Sequence, residues 1–140
     1  LAGMLGKGGT LAVQMPHQNN APSHRVWGSL AEEFFPQRGD FEAGPSVLLP
    51  SQYHAMLSKL GDVSIWETEY YQRLGADEAG HPVRRFTEST YARPILEVLD
   101  AQEQAMLVQR YEQVMEKAYP RAEDGTVLFP FRRMFFTLTV

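Results

Sequence analysis

The sequence predicts an α/β fold with about three strands, and three observations carry that expectation. Residues 10–15 (TLAVQM) form a short apolar run closed by Pro16. Residues 63–71 (VSIWETEYY) are crowded with β-branched and aromatic side chains, which suit a pleated sheet. Beyond Pro130 the last stretch alternates, placing Met134, Phe136, Leu138 and Val140 on one face of a strand over 127–140. Helical periods fill the gaps, so the order is strand, helix, helix, strand, helices, strand.

Residues 1–7 read as the last turn of a helix, stopped by Gly6, Gly8 and Gly9. They lack the features of a signal peptide, and a chain opening inside a helix is expected to be a piece of something larger. The run 10–15 has the apolar density of a strand buried on both faces of a parallel sheet. After a polar loop at 17–22, Ser23 is a candidate N-cap. Val26, Trp27, Leu30 and Phe34 then recur at helical spacing to about Phe35. Pro36, Gly39, Gly44 and Pro45 mark 36–49 as a loop. Ser51 is expected to cap a second helix, with Tyr53, Met56, Leu57 and Leu60 on one side and Gly61 as its stop.

A third helix is expected over 82–90, with Pro82 at its first position and Val83, Phe86 and Thr90 inward. Asp100 and Glu103 form a capping-box start for the longest helix, 101–118, whose apolar side is Leu107, Tyr111, Val114, Met115 and Ala118. Pro120 and the segment 123–125 end it. The expected organisation is one domain: 1–16 a helix end and core strand, 17–62 a helical segment, 63–71 a strand, 72–126 helical, and 127–140 the closing strand.

At 140 residues the chain is long enough for one core. Its 44% hydrophobic and 21% charged residues are the balance of a soluble globular protein. A net charge of −4 without a basic stripe argues against nucleic-acid binding, and no apolar run is long enough to span a bilayer. Without cysteine there are no disulfides, thiolate ligands or cysteine nucleophile, which is compatible with a reducing cytoplasm.

Several patterns carry chemistry in other proteins. The glycines of 5–10 (LGKGGT) follow a helix and open a strand, the reverse of a phosphate loop. His17, His24, His54 and His81 lack the spacing of a metal motif and read as surface or loop residues, and no GxSxG elbow is present. Glu67 and Glu69 alternate on one strand face, which is usually a solvated face. Arg93, held ahead of Pro94, has two equal readings: a planar fork for a carboxylate, or a cap on helix carbonyls.

Read in order, several segments resemble the trans-aconitate 2-methyltransferase family of S-adenosylmethionine-dependent enzymes. They are 5–16 (LGKGGTLAVQMP), 20–24 (NAPSH), 51–57 (SQYHAML), 63–71 (VSIWETEYY), 90–94 (TYARP), Ala118-Tyr119-Pro120 and 128–136 (LFPFRRMFF). The similarity covers essentially the whole chain. Departures fall at Ala21, where an acid is common, at Gly80-His81-Pro82, at Tyr91, where a small residue is usual, and at Arg132, where a proline is usual.

The resemblance implies the C-terminal half of a Rossmann-like methyltransferase. Residues 10–15 would be its fifth strand, 63–71 and 134–140 its closing antiparallel pair, and 72–126 a helical substrate cap. It implies the cofactor S-adenosylmethionine, bound by an N-terminal half that lies outside this sequence, so no cofactor-binding residue is expected here. The implied reaction is methyl-ester formation on a small polycarboxylate. A carboxylate is already ionised at neutral pH, so no catalytic base is assigned. The matched positions that offer donors or orienting groups are Gln14, His24, Tyr70, Tyr71, Thr90, Arg93 and Arg133. No metal, nucleic acid or membrane is expected as a partner. Alone, the chain is expected to be inactive and to self-associate through the uncovered first strand. The competing expectation is a non-catalytic small-molecule-binding or dimerisation module.

Overall fold

The computed structural model describes residues 1–41 and 46–140, so Gly44 and Pro45 of the expected loop lie outside it. Its elements are β1 (Thr10–Pro16), α1 (Pro22–Phe34), α2 (Pro50–Leu57), β2 (Asp62–Leu74), α3 (Pro82–Glu88), α4 (Arg93–Leu96), α5 (Ala101–Ala118) and β3 (Val127–Thr139). Single turns of 3-10 helix stand at Ala2–Met4 and Pro36–Arg38. The α/β class is as expected: the strands form one antiparallel sheet in the order β1-β3-β2. The chain divides into two compact units. A sheet unit holds Leu1–Gln18, Ser46–Tyr70 and Phe131–Val140, and a helical unit holds Asn19–Pro45 and Tyr71–Pro130.

In the sheet unit, β1 pairs antiparallel with β3, so that Leu11 lies opposite Leu138, Val13 opposite Phe136 and Met15 opposite Met134. Those residues share one face, and around Leu57, Phe136 and Leu138 gather Leu11, Val13, Met15, Tyr53, Val63, Ile65 and Val140. The expectation that β1 is buried on both faces of a parallel sheet is corrected here. β1 ends the strand order, pairs antiparallel, and alternates between half-buried and exposed side chains. The apolar run fills one face only, because alternate positions are Thr10, Ala12 and Gln14.

α2 begins at Pro50, and Ser51 is not its cap. The side chain of Gln52 instead accepts from the Leu49 N–H at 2.8 Å. Gly61 ends this region for a steric reason, since a Cβ there would stand 2.1 Å from the Thr139 carbonyl oxygen.

In the helical unit, α1 starts with Pro22 in the first turn and Ala21 as the capping residue. Ser23 is therefore inside the helix rather than its cap. Trp27, Ala31 and Ser23 form the buried stripe of α1. The Trp27 ring stacks on Tyr111 of α5, centroids 3.8 Å apart. α5 has the expected capping box: Asp100 accepts from the Gln102 and Glu103 N–H groups, and Glu103 accepts from Asp100 N–H. Leu107, Tyr111 and Met115, four residues apart, line its buried face, while Ala118 is exposed.

The inward face of α3 differs from expectation. Val83, Arg84 and Thr87 are buried, whereas Phe86 and Thr90 are exposed. Thr87 can be buried because its hydroxyl donates back to the Val83 carbonyl at 3.0 Å and accepts from the Trp27 indole N–H at 2.8 Å. His81, expected at the surface, is fully buried. Its Nδ1 accepts from the Val83 N–H at 3.2 Å and caps α3.

Along β3 the buried residues change parity. Val127, Phe129 and Phe131 are buried in the first half, and Met134, Phe136 and Leu138 in the second. The predicted alternation after Pro130 is thus correct for the second half alone. Among the described residues no helix is long and apolar enough to cross a membrane.

Candidate functional site

The residues singled out by the resemblance fall into two sets, one in each unit. In the sheet unit, Gln14 lies opposite Phe135, next to Pro16 opposite Arg133, so Gln14 and Arg133 are diagonal neighbours. Arg133 Nε donates to Gln14 Oε1 at 2.5 Å, and its guanidinium carbon stands 5.6 Å from the Phe131 ring centroid. The Tyr70 ring meets the same Phe131 at 5.7 Å. Arg133 and Tyr70 therefore flank Phe131, with the arginine fixed by the Gln14 amide and one aromatic face. A guanidinium held this way keeps N–H groups free for an anion.

The acids of β2 have found partners. Glu67 contacts the His17 ring, and Glu69 accepts from Arg132 Nη2 at 3.3 Å. Arg132 also uses its backbone N–H, which donates to Gln18 Oε1 at 3.3 Å. A proline at this position would have no such N–H to give.

In the helical unit, His24 is half-buried on α1. Its Nδ1 is 2.9 Å from the Ser23 hydroxyl, and its ring meets Tyr91 edge-on with centroids 4.8 Å apart. Burial strips water from the imidazole and holds its pKa down to about 4, so the ring is neutral at pH 7. The same cause raises the Tyr91 phenol above its ordinary value. Tyr91, the departure from a usual small residue, thus packs directly on a candidate ligand-facing side chain.

The rest of that set is solvent-facing. Tyr71 is 61% exposed, and Thr90 is exposed with its N–H directed at the Thr87 carbonyl. Arg93 neither caps carbonyls nor lies buried. It opens α4 and donates to Glu97 at 2.7 Å along the helix, and that hydrogen bond raises its pKa.

Beneath His24 lies a buried hydrogen-bond chain that spacing did not reveal. The Tyr111 hydroxyl donates to the Ser23 carbonyl at 2.6 Å and lies 3.2 Å from the Thr87 hydroxyl. The Tyr119 hydroxyl accepts from the Ser23 N–H at 3.3 Å. The Ser23 backbone in the first turn of α1 is thus held by side chains 88 and 96 residues away, while the His24 and Arg25 N–H groups donate to the Ala21 carbonyl. The Tyr119 carbonyl in turn accepts from His81 Nε2 at 3.0 Å. Ser23 and Tyr119 lie within matched segments, 20–24 and Ala118-Tyr119-Pro120, but neither they nor Thr87 and Tyr111 carried a signal for this role.

The glycine turn at 6–9 does not form a phosphate cradle. Gly6 and Gly9 close a turn, through a 2.8 Å bond from Gly9 N–H to the Gly6 carbonyl, that leads from 3-10 helix into β1. A phosphate cradle instead uses amides that open a helix. No group of three metal-ligating side chains occurs among the described residues.

No family model matches the chain. Curated proteins do. It is 41% identical over 140 residues to a protein of Methylobacterium nodulans named trans-aconitate 2-methyltransferase, covering 96% of this chain and 53% of that one. A protein of the same name from Rhodococcus jostii is 35% identical, covering 97% and 54%. Another from Streptomyces coelicolor is 39% identical, covering 94% and 44%. The chain spans about half the length of the curated relatives it matches. Matched along nearly all of its length in this way, the chain is similar to about half of each of several proteins named trans-aconitate 2-methyltransferase.

Proposed function

We propose that the chain is the C-terminal, substrate-binding portion of a cytoplasmic S-adenosylmethionine-dependent methyltransferase that esterifies a small polycarboxylate such as trans-aconitate. The observation that carries this reading is the match along nearly all of the chain to proteins of that name. The site chemistry supports it. The candidate residues are donors, Arg133 braced by Gln14 and His24 braced by Ser23, and a carboxylate oxygen needs donors to orient it rather than a base to deprotonate it. When bound, the cofactor supplies the methyl group from its sulfonium; its site would lie in the part of the family that this chain does not match.

Two experiments test the reading. Calorimetric titration of this chain with S-adenosylmethionine is expected to show no binding; tight stoichiometric binding would overturn the placement of the cofactor site. A chimera joining this chain to the unmatched half of the Methylobacterium nodulans relative is expected to methylate trans-aconitate. A folded chimera that binds the cofactor yet forms no ester would overturn the assigned substrate class.

A second proposal rests on the edge. β1 ends the strand order and carries no charged side chain, so it lacks the usual protection against pairing with another strand. The chain by itself is proposed to associate with a second copy through β1. Light scattering is expected to show a dimer that Ala12→Lys, at an exposed position of β1, converts to monomer; a monomeric parent at high concentration would remove the proposal.

A further inference from the structure

We propose that Ser23 is a positioning residue that fixes the tautomer of His24, so that His24 Nε2 presents a neutral N–H donor to an oxygen of an anionic, carboxylate-bearing ligand. The donor half of this inference rests on the reading of His24 as ligand-facing; the tautomer half rests on geometry alone.

Ser23 is completely buried, and among the described residues its hydroxyl has one hydrogen-bond partner, His24 Nδ1 at 2.9 Å. A hydroxyl carries one proton and two acceptor positions. If Nδ1 held the ring proton, it would donate to the serine oxygen, and the serine proton would point into the protein interior with no acceptor. An imidazolium would create the same orphan. Only a serine hydroxyl that donates to Nδ1 leaves the buried serine proton paired, and this places the ring proton on Nε2. The serine is itself held: its N–H and carbonyl are tied to Tyr119 and Tyr111. Tyr91 packs edge-on against the imidazole and restricts its rotation.

Nε2 has no partner among the described residues, and it is not among the enclosed atoms left without one, so it reaches solvent. The low pKa of the ring agrees with the neutral form. The chemistry suits a nucleophilic carboxylate. A cation bound to the attacking oxygen would withdraw electron density from it, whereas a neutral N–H holds the oxygen in place with less loss of nucleophilicity.

The test is a long-range proton–nitrogen correlation spectrum of the histidine rings of this chain at pH 7, which separates the two neutral tautomers from each other and from imidazolium. His24 is expected as the Nε2–H form in the parent, and as a mixture of both neutral forms in Ser23→Ala. An Nδ1–H or imidazolium signal in the parent, or an unchanged signal in Ser23→Ala, would overturn the tautomer assignment. Trans-aconitate added to the parent is expected to shift the His24 Nε2–H resonance, with a several-fold weaker midpoint in Ser23→Ala. No shift in the parent would sink the ligand-facing reading while leaving the tautomer standing. A shift with the same midpoint in both proteins would remove Ser23 from ligand positioning.

Discussion

The sheet unit buries one polar side chain among the described residues, Gln18, whereas the helical unit buries four. In the sheet unit the packed face is apolar, built around Leu57, Phe136 and Leu138, and the His17–Glu67 contact and the Arg132–Glu69 ion pair lie outside that cluster. In the helical unit, polar groups are inside. Ser23, His81, Arg84 and Thr87 are all buried, and each is tied to a partner. The first unit depends on apolar area removed from water. The second depends on pairing its buried donors and acceptors, where one missing partner strands another group, and among the described residues Glu32 Oε2 alone is enclosed without one.

The sharpest way to break this comparison is the same substitution in both units, and the larger effect is expected from Arg84→Met. Arg84 is 8% exposed and donates to Glu112 at 2.8 Å, to Glu88 at 2.7 Å and to the Ala79 carbonyl at 2.6 Å. Its loss leaves Glu112 with only the His81 N–H, Glu88 with only Arg85, and the Ala79 carbonyl without this donor, at a cost of about 3 kcal/mol. The chain has two tryptophans, Trp27 in the helical unit and Trp66 in the sheet unit. Urea unfolding in a Trp66→Phe background therefore reports on Trp27 alone. A loss below 1 kcal/mol would mean that the helical unit does not rely on its buried pairs.

Tyr111→Phe is expected to come next. It keeps the ring stacked on Trp27 but removes the donor to the Ser23 carbonyl and the contact with Thr87. The cost is about 1–3 kcal/mol, read by the same unfolding experiment. It should also loosen the first turn of α1, so amide exchange at residues 23–27 is expected to quicken more than in α5.

How much of this was legible depended on the range of the interaction. Pro82 at the start of α3, the Asp100–Glu103 box of α5 and the apolar alternation of 134–138 act within a few residues, and the sequence reading located all three. The inner face of α3 was misread because Thr87 is buried through Trp27 and Tyr111, 60 and 24 residues away. Ser23 was misread as a cap because serine before a helical period usually is one. Pro22 displaced the boundary, and Tyr119 took over the capping. The Gln14–Arg133 pair joins positions 119 apart, a distance no local pattern encodes. In contrast, Tyr91 was marked in advance as a departure, and its ring lies against His24.

Acid titration sharpens the comparison further, because buried neutral histidines belong to the helical unit. His24 is held at about 4 and His81 is also lowered, both mainly by burial. An unfolded histidine titrates near 6.5, so below that pH the unfolded chain binds protons that the folded one refuses. Stability is therefore fully present above about pH 6.5 and falls as the pH drops towards 4, by on the order of 1 kcal/mol per pH unit for His24. Asp124, held at about 2 chiefly by the Thr126 hydroxyl, and Asp77, lowered chiefly by the Ala79 N–H, act in the same direction only below about pH 4. The interval between pH 6.5 and 4 thus isolates the histidines. A helical-unit midpoint that is flat across it, followed through Trp27, would contradict their neutral burial.

The smallest effect is expected from Arg132→Met, the sheet-unit counterpart of Arg84→Met. Arg132 is 50% exposed, its partner Glu69 is 41% exposed, and the bond between them is 3.3 Å long. Water replaces such a partner easily, and the methionine retains the backbone N–H that donates to Gln18. The change in unfolding free energy should stay within about 0.5 kcal/mol, followed through Trp66 in a Trp27→Phe background that serves as its own reference. A cost approaching that of Arg84→Met would show that exposed pairs on the sheet carry as much as buried ones among the helices. The contrast between the two units would then lie in where their polar groups sit, and not in what those groups contribute to stability.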